Sequence, residues 1–273
     1  MIITIWVNDI LLFTTTIKLK NKAIADVESE WEITDLGTPT KIVGIELAIS
    51  ADTISISLSS YINSILAKEG LDQCNAVSTP LDPHIILVPN LEGNIGDQSN
   101  AYARLLGKLQ YITNATQPDI AYAVNRLASY TANPSLQHTT VLKQVLRYLN
   151  GTKSHCITYK TLPDKVDFFM GYADAAYANA DEGWSMTGYV FLAGDGAITW
   201  SLKKQILTAL SSTQAEYVVL LEASHEACWL RNLYTELGLL KEDMLTMIKG
   251  DNNGLIALAR NPQFHKGTKH IEV

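Results

Sequence analysis

DFFMGYADAAY at 167–177, SLKKQILTALSSTQAEYVVLLEA at 201–223 and MLTMIKGD at 244–251 decide how the last third of this chain is read. The first and third are short apolar runs that lead into an acid, Asp174 and Asp251. The middle one changes period: its apolar residues recur at helical spacing, which predicts one long helix over 213–237, ending before Gly238. Strand patterns at 155–160, 166–173, 186–193 and 196–201 precede that helix. A short strand at 244–250 and a helix after Asp251 follow it. The order strand, strand, strand, helix, strand, helix predicts a mixed α/β domain.

Upstream the period is helical. One helix is predicted over 102–113, a second from Pro118 to Tyr130, and a third after Pro134 that stops at Asn150-Gly151. Residues 75–100 hold Pro80, Pro83, Pro89, Gly93 and Gly96 and read as a linker. The first sixty residues read as two hairpins. MIITIWV and ILLFTTT flank a turn at Asn8-Asp9, and KIVGIELAIS pairs with TISISLSS across Ala51-Asp52. Helical spacing at 21–31 (Ala23, Val27, Trp31) separates the hairpins, and a short helix over 61–68 ends before Gly70.

The chain has 273 residues, of which 47% are hydrophobic and 18% charged, so a sizeable core is expected and wholesale disorder is excluded. Its length suits about two domains. No apolar run approaches the ~20 residues of a membrane helix, so no membrane partner is expected. The start lacks the basic and small-residue marks of a signal peptide, and Cys74, Cys156 and Cys228 form no CxxC pair. An intracellular setting is the expectation, a cytoplasmic particle or the nucleus. The net charge of −7 argues against a nucleic-acid partner, but it hides an asymmetry. Residues 101–160 carry Arg104, Lys108, Arg126, Lys143, Arg147, Lys153 and Lys160 against the single acid Asp119. Such a block steers polyanions, and a solvated helical surface accounts for it equally well.

Asp174, Glu216 and Asp251 stand at element ends, where α/β folds build sites. Carboxylates that converge repel one another unless a divalent cation lies between them, and hard oxygen donors suit Mg²⁺ or Mn²⁺. Each acid also has a local explanation. Thr213-x-x-Glu216 fits a capping box, Asp251 fits an N-cap and Asp174 a turn. Spacing alone does not show convergence.

These stretches resemble the C-terminal part of the Pol polyprotein of copia-type LTR retrotransposons. The resemblance rests on WVNDILLF, STPLDP, YARLLGKLQYITNATQPDIAYAVNRLASY, VLRYLNGT, GYADAAYA, TGYVFLAGDGAITWSLKKQ, ALSSTQAEY, EACWLRNLYTELG, GDNNGLIALARNPQFH and GTKHIEV, in that order. It implies three parts: a truncated reverse transcriptase palm remnant at 1–82, a helical thumb and connection at 83–160, and a ribonuclease H-like mixed sheet with flanking helices at 161–273. Asp174, Glu216 and Asp251 match three ribonuclease H acids, and Glu272 stands where the family has an aspartate. Together these four are the implied catalytic and metal residues, holding two Mg²⁺ or Mn²⁺ ions. The polymerase turn motif is degenerate, with Asn8 in place of its first aspartate and Asp9 retained. The implied partner is an RNA–DNA hybrid or other nucleic acid, met by Arg104, Lys108, Arg126, Lys143, Arg147, Lys203 and Lys204. Association with other Pol segments is a further implied partnership. The expected activity is hydrolysis of the RNA strand of a hybrid, with the polymerase lost. The alternative is a degenerate, non-catalytic nucleic-acid-binding product.

Overall fold

The computed structural model describes residues 1–91, 97–161, 169–177, 183–206, 208–240 and 245–251. It combines helices and sheets, as the alternating patterns require. The first hairpin is β1 (Ile2–Trp6) against β2 (Asp9–Phe13), in register Trp6↔Asp9. The turn is therefore Val7-Asn8, one residue earlier than the polar pair suggests, and Val7 adopts φ 53. Helix α1 (Ile17–Glu28) follows, with the Thr16 side chain accepting a hydrogen bond from the Leu19 N–H at 3.3 Å.

KIVGIELAIS is not one strand. It divides into β3 (Lys41–Ile42) and β4 (Ile45–Ile49), joined by a tight turn in which Val43 has φ 49 and Gly44 φ 84. A Cβ at Gly44 would sit 2.8 Å from the Tyr111 hydroxyl, which donates to the Val43 carbonyl at 2.9 Å. The glycine thus serves both the left-handed turn and the close approach of a tyrosine from a later helix. Strand β5 (Thr53–Ser57) pairs with β4, and helix α2 (Ser59–Lys68) follows.

The helical stretch forms α3 (Asp97–Ala115), a 3-10 turn (Pro118–Ile120), α4 (Ala121–Ala128) and α5 (Leu136–Thr152). With α2 these helices enclose one core, which includes Ile62, Leu66, Leu109, Ile112, Leu127, Leu146 and Leu149. Part of the stretch read as a linker joins that core. Leu87 is buried, and the Tyr130 hydroxyl donates to its carbonyl at 3.0 Å. Gln144 and Arg147 donate to the carbonyls of Thr79 and Asn75. Pro80, Pro83 and Pro89 break regular structure there, and the described residues up to Leu91 pack as a strap across the helices.

Strand β6 (Ile157–Lys160) returns to the first sheet as its fourth strand, in the order β3-β4-β5-β6. The second four-stranded sheet consists of β7 (Met170–Ala176), β8 (Met186–Ala193), β9 (Gly196–Lys204) and β10 (Met247–Lys249), in the spatial order β10-β7-β8-β9. Strands β7, β8 and β9 form an antiparallel meander. Helix α6 (Ser212–Glu236) covers one face, burying Phe169, Phe191, Val219, Ala223 and Leu230. Strand β10 lies parallel to β7. The helical part meets β9 through polar bonds: Asn125 donates to the Leu202 carbonyl at 2.9 Å and the Trp200 indole N–H to the Thr113 carbonyl at 3.0 Å.

Candidate metal centre

Asp174 lies inside β7, opposite Gly188 of β8, so it is a strand residue rather than a turn residue. Strand alternation sends Ala173 into the α6 interface and leaves Asp174 exposed. The parallel ladder of β10 on β7 ends with Lys249 level with Tyr172. Asp251 stands two residues past the end of that ladder, as Asp174 stands two residues past Tyr172. The helix expected after Asp251 lies outside the described residues, as does Glu272.

Glu216 reaches the same place from α6. The capping-box explanation fails for it, because the N-cap is Ser211. That hydroxyl accepts from the Gln214 N–H at 3.2 Å, and the Gln214 side chain accepts from the Leu210 N–H at 2.7 Å. Glu216 is thus two residues further in than Thr213-x-x-Glu216 implies, and its carboxylate is not used to cap the helix. It is buried and accepts a hydrogen bond from the Ala175 N–H of β7 at 3.4 Å.

One carboxylate oxygen from each of Asp174, Glu216 and Asp251 lies within 4.8 Å of the other two. Among the described residues no basic side chain forms an ion pair with any of them. Burial pushes the Glu216 carboxyl above its ordinary range. The Ala175 N–H opposes that shift, and the charges of Asp174 and Asp251 add to it. Three hard oxygen donors that repel one another, with no basic partner among the described residues, fit a small divalent cation of the Mg²⁺ or Mn²⁺ type.

The basic residues expected to meet nucleic acid are spread over several elements. Arg104 and Lys143 are exposed on α3 and α5, with Lys108 on α3 and Arg126 on α4 half-buried. Arg147 holds the strap through Asn75. At the end of β9, Lys203 forms an ion pair with Glu222 at 2.7 Å, and the Lys204 ammonium lies 4.5 Å from the centre of the Trp184 ring. Asn8 and Asp9 sit exposed at the tip of the first hairpin. Sequence reasoning passed over Gln205, next to the two lysines. It is buried against Thr187 and Ala215, and its one signal was an amide closing a strand that ends in charge.

Residues 1–83 match the family model described as reverse transcriptase (RNA-dependent DNA polymerase). The chain is 32% identical over 280 residues to the retrovirus-related Pol polyprotein from transposon TNT 1-94 of Nicotiana tabacum, a match covering 100% of the chain and 21% of that protein. It is 33% identical over 270 residues to the retrovirus-related Pol polyprotein from transposon RE1 of Arabidopsis thaliana, covering 98% of the chain and 18% of that protein. The chain therefore spans about a fifth of the length of these relatives. An uncharacterized mitochondrial protein of Arabidopsis thaliana is 32% identical over 230 residues, covering 84% of the chain and 94% of that protein. No solved structure matches the chain.

Proposed function

The chain belongs to the Pol polyproteins of copia-type retrotransposons, and from that premise we propose that its second sheet works as a ribonuclease H-like domain on RNA–DNA hybrids. On this reading residues 1–82 are a palm remnant, 83–160 a thumb and connection, and 161–273 the hydrolytic domain. The observation that carries the reading is the meeting of Asp174, Glu216 and Asp251 within 4.8 Å. An isolated capping or turn role for each acid does not account for that meeting.

Asp174, Glu216 and Asp251 would hold Mg²⁺ or Mn²⁺. When bound, two such ions would supply the Lewis acidity that activates a water and offsets charge on the departing 3′ oxygen. The rest falls to the chain's own residues. Asp174 and Asp251 are exposed, which would leave them open to an approaching phosphodiester. Glu216, held from behind by the Ala175 N–H, presents a fixed oxygen to the cluster. Its raised proton affinity makes it the acid that must be ionised before the set is complete. The side chains of Arg104, Lys108, Arg126, Lys143 and Arg147, with Lys203 and Lys204, would dock the hybrid through its phosphates without reading its sequence.

A second reading, a non-catalytic nucleic-acid-binding product, is favoured by the hairpin tip, where the amide of Asn8 precedes Asp9. A neutral amide there removes one anionic ligand from a two-metal polymerase site. The deciding experiment incubates a labelled RNA–DNA hybrid with the wild-type chain and with Asp251→Asn, in Mg²⁺, in Mn²⁺ and in chelator. Hydrolysis reads as metal-dependent cutting of the RNA strand by wild type alone. If both proteins bind the hybrid and neither cuts it, the non-catalytic reading replaces this one.

A further inference from the structure

Gln205 follows β9 and is buried to 1% exposure. Its backbone N–H donates to the Ser185 carbonyl at 2.8 Å, continuing the β8–β9 pairing past the end of the ladder. Its side-chain amide turns inward between the sheet and α6. The nitrogen Nε2 donates to the Ala215 carbonyl at 2.9 Å and lies 3.3 Å from the Thr187 hydroxyl. A carbonyl can only accept, so the nitrogen must face Ala215 and the amide orientation is settled. The other amide atom, Oε1, is buried with no hydrogen-bond partner among the described residues. A leucine or methionine would avoid the cost of that buried oxygen. The polar side chain is therefore there for its nitrogen.

Both groups it holds adjoin the acid cluster. The Ala215 carbonyl belongs to the peptide that leads into Glu216. Thr187 is buried and pairs with Ala175, whose N–H is the donor to the Glu216 carboxylate. One amide thus joins β8, β9 and the second turn of α6, at the place where that turn must present Glu216 to Asp174. Apolar contacts along α6, such as Val219 and Ala223 with Phe191, hold the helix on the sheet without direction. Lys203 to Glu222 and Thr199 to Glu226 tie α6 to β9 further along the helix, and the bond to the carbonyl just before Glu216 is the directional tie at the acid cluster itself.

We infer that Gln205 is a positioning residue that sets the distance of the Glu216 carboxylate from Asp174 and Asp251, and so the fit of the cation they hold. This rests on the metal-site reading above. Groups that orient metal ligands from behind typically change metal affinity by about 10- to 100-fold when removed.

The test measures Mn²⁺ binding directly, by calorimetric titration and by the loss of the free-ion electron paramagnetic resonance signal, on the full chain. Gln205→Met keeps the volume and removes the donor. Gln205→Asn keeps the amide, one methylene too short to span both partners, and replaces the first variant should that one fail to fold. Thr199→Val is the control, losing a part-buried bond of 2.7 Å from β9 to Glu226 of α6, away from the acid cluster. The expected result is a loss of Mn²⁺ affinity of about 10-fold or more in the Gln205 variant, with wild-type affinity in Thr199→Val. Wild-type Mn²⁺ affinity in a folded Gln205 variant overturns the inference and leaves the metal site standing. Absence of Mn²⁺ binding by the wild type itself overturns the metal-site reading, and this inference with it.

Discussion

Glu216→Gln should make the metal-free protein more stable at neutral pH and remove its response to Mn²⁺. The glutamine keeps the shape and keeps an oxygen for the Ala175 N–H, so only the charge is lost. Two charge pairs vanish, with Asp174 and with Asp251. At 4.8 Å a pair of unit charges repels by about 0.9 kcal/mol in water and about 3.5 kcal/mol at an effective dielectric of about 20. Both partners are exposed, which draws the value toward the lower figure, and relief of two pairs then comes to about 2 kcal/mol. For a chain of this size that raises Tm by about 4–8 °C. The pH dependence has a definite sign. Burial, with the neighbouring charges, raises the Glu216 pKa in the folded state above the ordinary value of a glutamate. Its contribution to stability is therefore full below the unfolded pKa and is lost as pH rises through the folded one. The advantage of the variant should be present at pH 7 and fade as pH falls toward 4.5. Saturating Mn²⁺ reverses the order, because a ligand at about 100 times its Kd adds about 2.7 kcal/mol to the wild type. Thermal melts in chelator and in Mn²⁺, at several pH values, read all of this. A variant that melts below wild type in chelator at pH 7, or that Mn²⁺ stabilises as much as wild type, would refute the argument.

Primer extension on an RNA template with Mg²⁺ should stay at the level of an empty preparation, and Asn8→Asp alone should not raise it. Extension above that level by the unaltered chain would show that the hairpin tip retains a working site. Gly171→Ala should destabilise by about 1–3 kcal/mol through overpacking, since its Cβ would sit 2.5 Å from the buried Phe191 ring. Denaturant unfolding reads this, and an unchanged midpoint would mean that β7 and β8 are not packed as described. Replacing both Arg104 and Lys143 by glutamine should reduce the salt slope of hybrid binding by about 1.8, at about 0.9 per lost phosphate contact. An unchanged slope would remove α3 and α5 from the docking surface.

Local chemistry was legible in the residues themselves. Apolar spacing marked the helices α2 to α6, and the turn residues marked both early hairpins within a residue or two. Asp174, Glu216 and Asp251 were each visible as acids near element ends. Signals of this kind depend on neighbours a few positions away, and periodicity carries them. Their meeting was not legible. It depends on a parallel register between β7 and β10, strands more than seventy residues apart, and on an N-cap at Ser211 that frees Glu216 from the capping role Thr213 suggests. The same holds for β6, whose apolar pattern marks a strand but not which sheet receives it. It holds too for the residues around Leu87, whose prolines exclude regular structure without saying that the segment is buried. Which strand pairs with which, and which side chain turns inward, is settled by burial and hydrogen bonding between distant segments. Local spacing marks the elements and the acids, whereas the packing of α6 and β10 against β7 brings three of those acids to one place.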